Sequence, residues 1–281
     1  MTPVTEEALH SLDATADPRL RELLTALVRH LHAFADETRL TRREWEAAIR
    51  FLTATGQTCT DTRQEFILLS DVLGLSMLVE TINSDGHGGT ESTVLGPFHM
   101  TESPERALGA DIDLVGGGEP CVVTGRVLST DGTPLPGAVI DVWQADDQGY
   151  YDVQRPDVQP PGNGRGLFTT DAEGAFRFRT CVPSSYPIPT DGPVGDLLRA
   201  TGRHPYRPAH IHFIASAAGH ASVTTHIFVA GDPYLESDAV FAVKQSLVRD
   251  FTPTDDASLA EEFGVPNPFR HARIDLVLEP S

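Results

Sequence analysis

Apolar residues in the first third of the chain recur at intervals of three and four, the spacing of one face of an α-helix. The stripe from Leu20 to Phe34 follows Asp17-Pro18, which places an aspartate at the cap and a proline at the first helical position. A second helix is predicted to begin with the capping box of residues 41–44 and to end at Gly56. Its apolar stripe is expected to be buried and consists of Trp45, Ile49 and Leu52.

A third helix is predicted to begin with the capping box Thr62-Arg63-Gln64-Glu65 and to extend to about Asn83. From Phe66 to Ile82 it is apolar over most of its circumference, which indicates burial between other elements or in a subunit interface. Asp71 interrupts this apolar surface, and a buried carboxylate needs a partner. Either it accepts hydrogen bonds from a neighbouring helix or loop, or it points into a pocket and holds a hydroxyl group of a ligand.

From about residue 110 the pattern changes to alternation with a period of two, which is typical of β-strands. Strands are predicted at 121–128, 138–143, 174–180, 209–215, 222–229 and 272–278, with a short helix at 194–200. Short strands separated by turns rich in Gly, Pro and Asp favour a β-sandwich. The sequence therefore predicts an α+β chain, with a helical domain over residues 1–109 and a β-sandwich domain over residues 110–281.

Composition narrows the classes of function. Asp and Glu total 40 against 21 Lys and Arg, and the net charge of −19 disfavours nucleic acid or an anionic membrane surface as a partner. The cysteines at positions 59, 121 and 181 are far apart, so they have no metal-ligand spacing and fit a reducing compartment better than a disulfide framework. No segment has the character of a signal peptide or a transmembrane helix. We therefore expect a cytoplasmic protein.

The segment from Arg207 to Phe213 contains a candidate metal site. Successive side chains of a strand point to opposite faces, so His210 and His212 share one face while Ile211 and Phe213 share the other. Two imidazoles on one face can reach one metal ion, with the Arg207 cation beside it. Taken alone, this His-x-His motif occurs in zinc, copper and iron sites, and it is also compatible with a pair of exposed strand histidines.

Tyrosines in the loops of the predicted sheet extend this candidate site. Tyr150 and Tyr151 follow the strand that contains Trp143, and Tyr186 follows the strand that ends near Thr180. Two phenolates and two imidazoles would suit a hard ferric ion, which acidifies a bound phenol just as a metal acidifies bound water. A single tyrosine is more often a packed aromatic residue with a hydrogen-bonded hydroxyl group.

A series of motifs then occurs in a fixed order through the second half of the chain. They are residues 131–138 and 141–145, Gly149-x-Tyr151, Pro183-x-x-Tyr186, residues 202–204 and the Arg207 segment. This series resembles the intradiol ring-cleavage dioxygenases of the catechol 1,2-dioxygenase type. Residues 63–71 and 91–99 resemble the branch of that family that acts on hydroxyquinol. The resemblance covers roughly residues 20 to 280 and implies a sandwich of the prealbumin-like form.

The resemblance assigns roles residue by residue. It implies that a ferric ion, Fe(III), is bound by Tyr151, Tyr186, His210 and His212. Tyr186 is also expected to leave the ion and accept a substrate proton, while Arg207 favours anionic character in the aromatic ring. The pocket is expected to contain Leu68, Asp71, Val94, Leu95, Gly96, Pro97, Phe98, Ile188, Pro189, Arg207 and His226. At His226 the chain departs from the catechol type, which has glutamine, and we expect this histidine beside the metal ligands rather than among them.

The implied activity is O₂-dependent cleavage of hydroxyquinol (benzene-1,2,4-triol) between its adjacent hydroxyl groups, giving 3-hydroxy-cis,cis-muconate. Asp71 would select this substrate, because catechol lacks the additional hydroxyl group; catechol or a chlorocatechol is the alternative substrate. A prealbumin-like binding module without a metal is the alternative from another class. The resemblance also implies a homodimer formed through the N-terminal helices, around an apolar tunnel that can hold lipid.

Overall fold

The computed structural model describes residues 2–60, 63–84, 88–100 and 102–281. They form two compact units, one that ends at residue 57 and one that begins at residue 58. The helices of the described residues are α1 (Pro3–His10), α2 (Pro18–Glu37), α3 (Arg42–Thr58), α4 (Glu65–Val72), α5 (Leu75–Asn83), α6 (Pro193–Ala200) and α7 (Ala257–Phe263). The strands are β1 (Pro120–Ser129), β2 (Val139–Gln144), β3 (Arg165–Thr169), β4 (Ala175–Cys181), β5 (Tyr186–Pro187), β6 (Tyr206–Arg207), β7 (His210–Ser216), β8 (Val223–Val229), β9 (Val248–Arg249), β10 (Thr252–Thr254), β11 (Phe269–Arg273) and β12 (Leu276–Leu278).

The first unit contains the predicted amphipathic helices. The Asp17 side chain caps α2 by accepting hydrogen bonds from the backbone N–H groups of the first turn. The predicted capping box of α3 is also formed, since the Glu44 carboxylate accepts from the Thr41 backbone at 2.9 Å and Glu44 N donates to Thr41 Oγ1 at 3.3 Å. The helix continues beyond Gly56 to Thr58, so its predicted end is wrong by about one half-turn.

The apolar stripes of these helices are exposed in the single chain. Trp45, Ile49 and Leu52 are 53%, 46% and 44% exposed, so the single chain does not bury them, and their burial against a second subunit stays a prediction. The α2 stripe is exposed to a similar extent, with Leu27 at 53% and Phe34 at 53%. An amphipathic pattern identifies the apolar face of a helix, but it does not show that the same chain covers that face.

The predicted third helix is two helices, α4 and α5, separated by Leu73 and Gly74. Gly74 has φ +75°, a left-handed conformation that ends α4 and that glycine adopts without steric cost. The α4 N-cap is Gln64, and Thr62 of the predicted capping box lies outside the described residues. Only one side of this pair is buried, including Leu68, Val72 and Met77, so the predicted burial is confirmed for that side alone.

Two five-stranded sheets form the second unit's sandwich, and the predicted α+β architecture is confirmed. In one sheet the order is β10-β11-β1-β12, with β4 also paired to β1; in the other it is β3-β2-β7-β8-β9. The core between them includes Val123, Ile140, Phe178, Phe213 and Leu276. Each predicted strand is present, but residues 272–278 are divided between β11 and β12, because the chain breaks pairing at Asp275, whose carboxylate accepts from Arg126 N at 3.0 Å.

Strand register positions the side chains that matter for function. Across neighbouring strands, Arg165 of β3 pairs with Trp143 of β2, Trp143 pairs with His212 of β7, and His212 pairs with His226 of β8. Residues paired in this way point to the same face of a sheet. This row of four side chains lies on the face opposite Ile211 and Phe213, which are fully buried in the core.

The short strands β5 and β6 form a separate two-stranded sheet that pairs Tyr186 directly with Arg207. No helix in the described part of the chain is long and apolar enough to cross a membrane.

Candidate metal centre

His210 and His212 point to the same side of β7, as their alternation predicts, and their Nε2 atoms are 3.0 Å apart. His210 is oriented by a hydrogen bond of 2.7 Å between its Nδ1 and the Pro208 carbonyl oxygen. Because a carbonyl can only accept, Nδ1 is the protonated nitrogen of His210, and its Nε2 directs a lone pair toward His212. Both rings are buried, at 2% and 1% exposure.

Tyr151 contributes an oxygen to the same cluster. Its hydroxyl lies 3.1 Å from His212 Nε2, and its side chain is 1% exposed. The residue stands at the start of a 3₁₀ turn over Asp152–Gln154, where the Gln154 side chain accepts a hydrogen bond of 2.9 Å from Tyr151 N. The turn directs the ring inward, and the neighbouring Tyr150 is 42% exposed, so the structure separates the two tyrosines.

Tyr186 and Arg207 complete the cluster from the β5-β6 pair. Arg207 Nη1 lies 3.5 Å from the Tyr186 hydroxyl and 3.3 Å from His210 Nε2. Arg207 is 1% exposed, and its charge is paired with Asp238, 3.3 Å from Arg207 Nε. Burying a guanidinium in this way requires a nearby anion, and the second partner of that cation is the tyrosine oxygen.

The donor set fits a metal ion. His212 Nε2 lies 3.0 Å from His210 Nε2 and 3.1 Å from the Tyr151 hydroxyl oxygen, a spacing that matches donors placed about 2 Å from one centre. Burial lowers the pKa values of His210 and His212 well below their usual range, and the Arg207 cation lowers both further. Both imidazoles are therefore neutral, as metal ligands must be. His226 belongs with His210 and His212 to a group of three histidines, and the potential ligand nitrogens of this group all lie within 4.8 Å of one another.

The electrostatic surroundings of Tyr151 favour a cation at the centre of the cluster. Burial raises the pKa of its phenol well above the usual value, and the nearby Tyr186 hydroxyl raises it further. Arg207 and Arg165 act in the opposite direction, because a cation stabilises phenolate. A metal ion between these groups would supply the remaining positive charge that holds the phenolate form.

His226 lies directly behind the pair. Its ring is 4.0 Å from that of His212, centroid to centroid, and its Nδ1 is hydrogen bonded to Thr93 Oγ1. Its Nε2 is buried without a hydrogen-bond partner among the described residues. With one nitrogen committed to Thr93, His226 supports the His212 ring, and whether Nε2 reaches the metal or the substrate stays a prediction.

The segment from Val94 to Phe98 covers the cluster. It is held by Thr93, whose N–H donates to the Thr224 carbonyl of β8 at 2.8 Å. At Gly96 (φ +76°) an added Cβ would stand 3.0 Å from His212 Cε1, so only glycine permits this approach. Phe98 stacks on Tyr151 with ring centroids 4.5 Å apart. Val94 is buried, whereas Leu95 is 44% exposed and Pro97 is exposed.

Asp71 lies on the side of Arg207. It is 4% exposed, and Oδ1 finds no hydrogen-bond partner in the described parts of the chain. Burial raises its pKa, while a hydrogen bond to Ser76 and the charge of Arg207 lower it. Arg203 fixes the end of this helix by donating to the carbonyl oxygens of Val72 at 2.6 Å and Ala239 at 2.9 Å.

Of the remaining predicted pocket residues, Leu68 is buried one turn before Asp71, and Ile188 is buried just after Tyr186. Ile188 N donates to the Pro205 carbonyl at 2.9 Å, and the partly buried Pro189 follows it. These positions place both residues on the elements that hold Asp71 and Tyr186. Their contact with a substrate stays a prediction.

Sequence reasoning did not identify several residues that support this cluster. Asp238 is the partner of Arg207, and a buried pair between Asp152 and Arg165 lies behind Tyr151. Trp143 stacks on His212 with centroids 4.5 Å apart and planes 13° from parallel. The sequence could have indicated Asp152, because it directly follows a predicted ligand. Asp238 lies in a loop, where no local pattern indicates its role.

Comparison with known proteins gives the class. Residues 17–90 match the family model for the catechol dioxygenase N terminus, and residues 96–280 match the model described as dioxygenase. The chain belongs to the intradiol ring-cleavage dioxygenase family, so the prediction of an enzyme of that family is confirmed.

Particular members are similar over almost the whole chain. Hydroxyquinol 1,2-dioxygenase from Rhizobium sp. (strain MTP-10005) is 55% identical over 89% of this chain and 85% of its own length. The 6-chlorohydroxyquinol 1,2-dioxygenase of Cupriavidus pinatubonensis is 52% identical over 92% of this chain and 94% of its own. The crystal structure of hydroxyquinol 1,2-dioxygenase from Pseudomonas putida DLL-E4 has a TM-score of 0.92 and 47% identity, covering 99% of this chain and 98% of that one.

Proposed function

We propose that this protein uses a non-haem ferric ion and O₂ to cleave hydroxyquinol to 3-hydroxy-cis,cis-muconate, the enol form of maleylacetate, in the breakdown of aromatic compounds. The observation that carries the proposal is the buried convergence of the Tyr151 hydroxyl with the Nε2 atoms of His210 and His212. Tyr186 and Arg207 lie beside it, with Arg207 Nη1 close to both the Tyr186 hydroxyl and His210 Nε2. Such a polar cluster, buried on the face of the sheet that points away from the sandwich core, has no role in stability that apolar residues would not fill better.

Tyr151, Tyr186, His210 and His212 would hold the ion. Phenolate oxygens with neutral imidazole nitrogens form an anionic set that suits a trivalent cation better than a soft one. The bound ion supplies Lewis acidity and a template that brings the adjacent hydroxyl oxygens of the substrate and O₂ together. We propose that His226 stays outside this set, because its Nδ1 is hydrogen bonded to Thr93 and its ring packs against His212.

The protein's own residues would then have separate tasks. Tyr186 Oη is the proposed acceptor of a substrate proton, because the adjacent Arg207 Nη1 stabilises charge on that oxygen. Arg207 also favours negative charge on the aromatic ring as it reacts, since its guanidinium is fixed by Asp238 before the substrate arrives. Phe98 and Trp143 cover the ligand rings and exclude water from them.

Asp71 supports hydroxyquinol over catechol or a chlorocatechol. Its Oδ1 is buried and lacks a hydrogen-bond partner among the residues described, so a hydroxyl group entering the pocket would satisfy it. The third hydroxyl group of hydroxyquinol offers that donor, and catechol does not. The names of the similar proteins from Rhizobium and Pseudomonas support the same choice.

Product analysis tests the proposal directly. Purified protein is supplied with hydroxyquinol or catechol under isotope-labelled O₂, and the products are identified by mass spectrometry. We expect hydroxyquinol to give the ring-opened diacid with one labelled oxygen in each new carboxylate. A product cleaved outside the pair of hydroxyl groups, or faster turnover of catechol, would overturn the assignment.

The N-terminal helices support a proposed homodimer, with lipid as a proposed occupant of its apolar interior. Their apolar stripes are exposed in the single chain, as at Leu27 and Leu31 of α2, which are 53% and 55% exposed. Light scattering checks the mass in solution, and Leu27→Glu with Leu31→Glu should yield a monomer. The control is Arg29→Glu on the same helix, which should stay dimeric; a monomeric wild type would refute the dimer. A cytoplasmic location stays a prediction.

A further inference from the structure

We propose that Arg165 is a positioning residue for Tyr151: through Asp152 it fixes the tyrosine oxygen against the histidine pair and thereby sets the affinity of the site for iron. The inference rests on the proposed function, since Tyr151 is one of the proposed iron ligands. It adds a residue from β3, a strand that supplies none of the proposed ligands, to the site.

The pair between Arg165 and Asp152 is fully enclosed. Arg165 Nε and Nη2 lie 2.9 Å and 2.7 Å from Asp152 Oδ1, and the two residues are 1% and 4% exposed. The other carboxylate oxygen, Oδ2, accepts a hydrogen bond of 2.9 Å from Gly162 N. Both carboxylate oxygens are therefore fixed, and the backbone at residue 152 has little freedom to rotate.

Asp152 follows Tyr151 directly, so this anchor determines where the tyrosine ring points. On the preceding side, the hydrogen bond from Tyr151 N to Gln154 Oε1 closes the turn. The Tyr151 hydroxyl is held 3.1 Å from His212 Nε2 as a result. A rotation at residue 152 would move the hydroxyl by far more than the few tenths of an ångström that a metal bond tolerates.

Strand register also brings Arg165 to the site from the sheet side. It is paired with Trp143, which is paired with His212 in the next strand. Trp143 stacks on the His212 ring, so Arg165, Trp143 and His212 form consecutive members of one row on one face. Arg165 thus connects two ligands: His212 through the sheet and Tyr151 through the turn.

The Arg165 guanidinium is only partly hydrogen bonded. Its Nη1 is buried and has no hydrogen-bond partner within the described residues. A buried ion pair contributes little net stability compared with apolar residues of similar volume, so fixing the ligand is the better account of its presence.

The test compares iron binding by the wild type, Arg165→Met, Arg165→Lys and Asp152→Asn. Dissociation constants come from competition with a chelator, and visible absorption reports the charge-transfer band of iron-bound tyrosinate. Thermal unfolding of the iron-free proteins reports stability alone. Leu276→Ala is the matched control, because this residue is fully buried in the sheet that does not contain the cluster.

We expect Arg165→Met to weaken iron binding about 10- to 100-fold, the usual effect of removing a residue that supports a metal ligand. Its charge-transfer band should move, Asp152→Asn should do the same, and Arg165→Lys should be intermediate. Leu276→Ala should lower thermal stability with no change in affinity or band.

The inference is wrong if Arg165→Met binds iron as tightly as Leu276→Ala, with the band of the wild type. If Arg165→Met does not fold, the same comparison made with Asp152→Asn and Arg165→Lys decides. A wild type that binds no iron overturns the proposed function together with this inference. A variant that retains full affinity overturns the inference alone.

Discussion

Strands β7 and β8 contain the histidines of the cluster, whereas Asp71 and the segment from Val94 to Phe98 lie around it, and the two sets are held in different ways. His212 is held by backbone pairing on both sides, with Trp143 on β2 and His226 on β8. Asp71 and Gly96 lie on a helix end and a loop, which are held by single side chains such as Arg203 and by a few backbone hydrogen bonds. His210 and His212 cannot shift without breaking the pairing of their sheet, whereas Asp71 and residues 94–98 can vary. We therefore infer that the sheet performs the chemistry and that Asp71 and residues 94–98 select the substrate.

The largest effect is expected at the sheet. His212→Ala should abolish iron binding and the turnover of hydroxyquinol and catechol alike, because it removes a proposed ligand that also contacts Tyr151. Iron content by atomic absorption and oxygen uptake measure the change. His220→Ala, in the turn that follows β7, is the control and should behave as the wild type. Full iron content in His212→Ala would contradict the assignment.

Arg207→Met is expected to lower kcat by about 100- to 1,000-fold, as for the loss of a fixed group that stabilises developing charge. Both substrates should be affected equally, so their ratio of kcat/KM should not change. The variant also leaves the buried Asp238 carboxylate without its cation, at a cost of about 3–5 kcal/mol in the free energy of unfolding.

The double variant Arg207→Met with Asp238→Asn separates these two effects. With both charges removed, urea unfolding should show recovered stability, while kcat stays low. Recovery of kcat together with stability would mean that Arg207 acts only on the fold.

Asp71→Leu tests the part of the protein that we expect to select the substrate. We expect the ratio of kcat/KM for hydroxyquinol over catechol to fall by about 10- to 100-fold, the value of a lost hydrogen bond to a charged group. Iron content should not change. Asp196→Leu, at an exposed aspartate of α6, is the control for loss of an acidic residue. An unchanged ratio in Asp71→Leu would remove Asp71 as the selector.

The last effect is on stability and not on turnover: the iron-free protein should show a pH dependence of its free energy of unfolding. Burial lowers the pKa values of His210, His212 and His226, so the unfolded chain binds protons that the folded chain does not. The free energy of unfolding should therefore fall as the pH drops below about 6.5, by up to about 1.4 kcal/mol per pH unit for each imidazole. Asp71, whose pKa is raised, acts in the opposite direction.

Urea midpoints at about pH 7.5 and about pH 5.5 measure this dependence, since the two values bracket the ordinary pKa of histidine. His226→Gln should reduce the change in stability between the two pH values by the contribution of one of the three imidazoles. Equal stability of the wild type at the two pH values would show that these histidines are not held neutral by burial.

Local patterns predicted the parts of the site that strands and turns determine. Alternation alone places His210 and His212 on one face, and the cap at Asp17 and the capping box at Thr41 are visible in the sequence. The break at Gly74 was missed because the apolar run continues through it, although a glycine inside a helical pattern was the available signal.

The remaining features of the fold and the site depend on contacts between residues that are distant in the sequence. Asp152 and Arg165 are 13 residues apart, and they meet only because β3 returns antiparallel to β2. Arg207 and Asp238 are 31 residues apart in a region of loops. The exposure of Trp45 could not be read from its helix, because the same stripe would fit a core or a second subunit.

The most direct test of the central claim is an anaerobic titration of the iron-loaded protein with hydroxyquinol, followed by visible spectroscopy. If Tyr151 and Tyr186 bind a ferric ion, the protein should be red-brown through tyrosinate charge transfer, and the band should change as substrate binds. Oxygen should then restore the original spectrum with release of the ring-opened diacid. A colourless protein that stays free of iron and inactive after reconstitution would contradict the account.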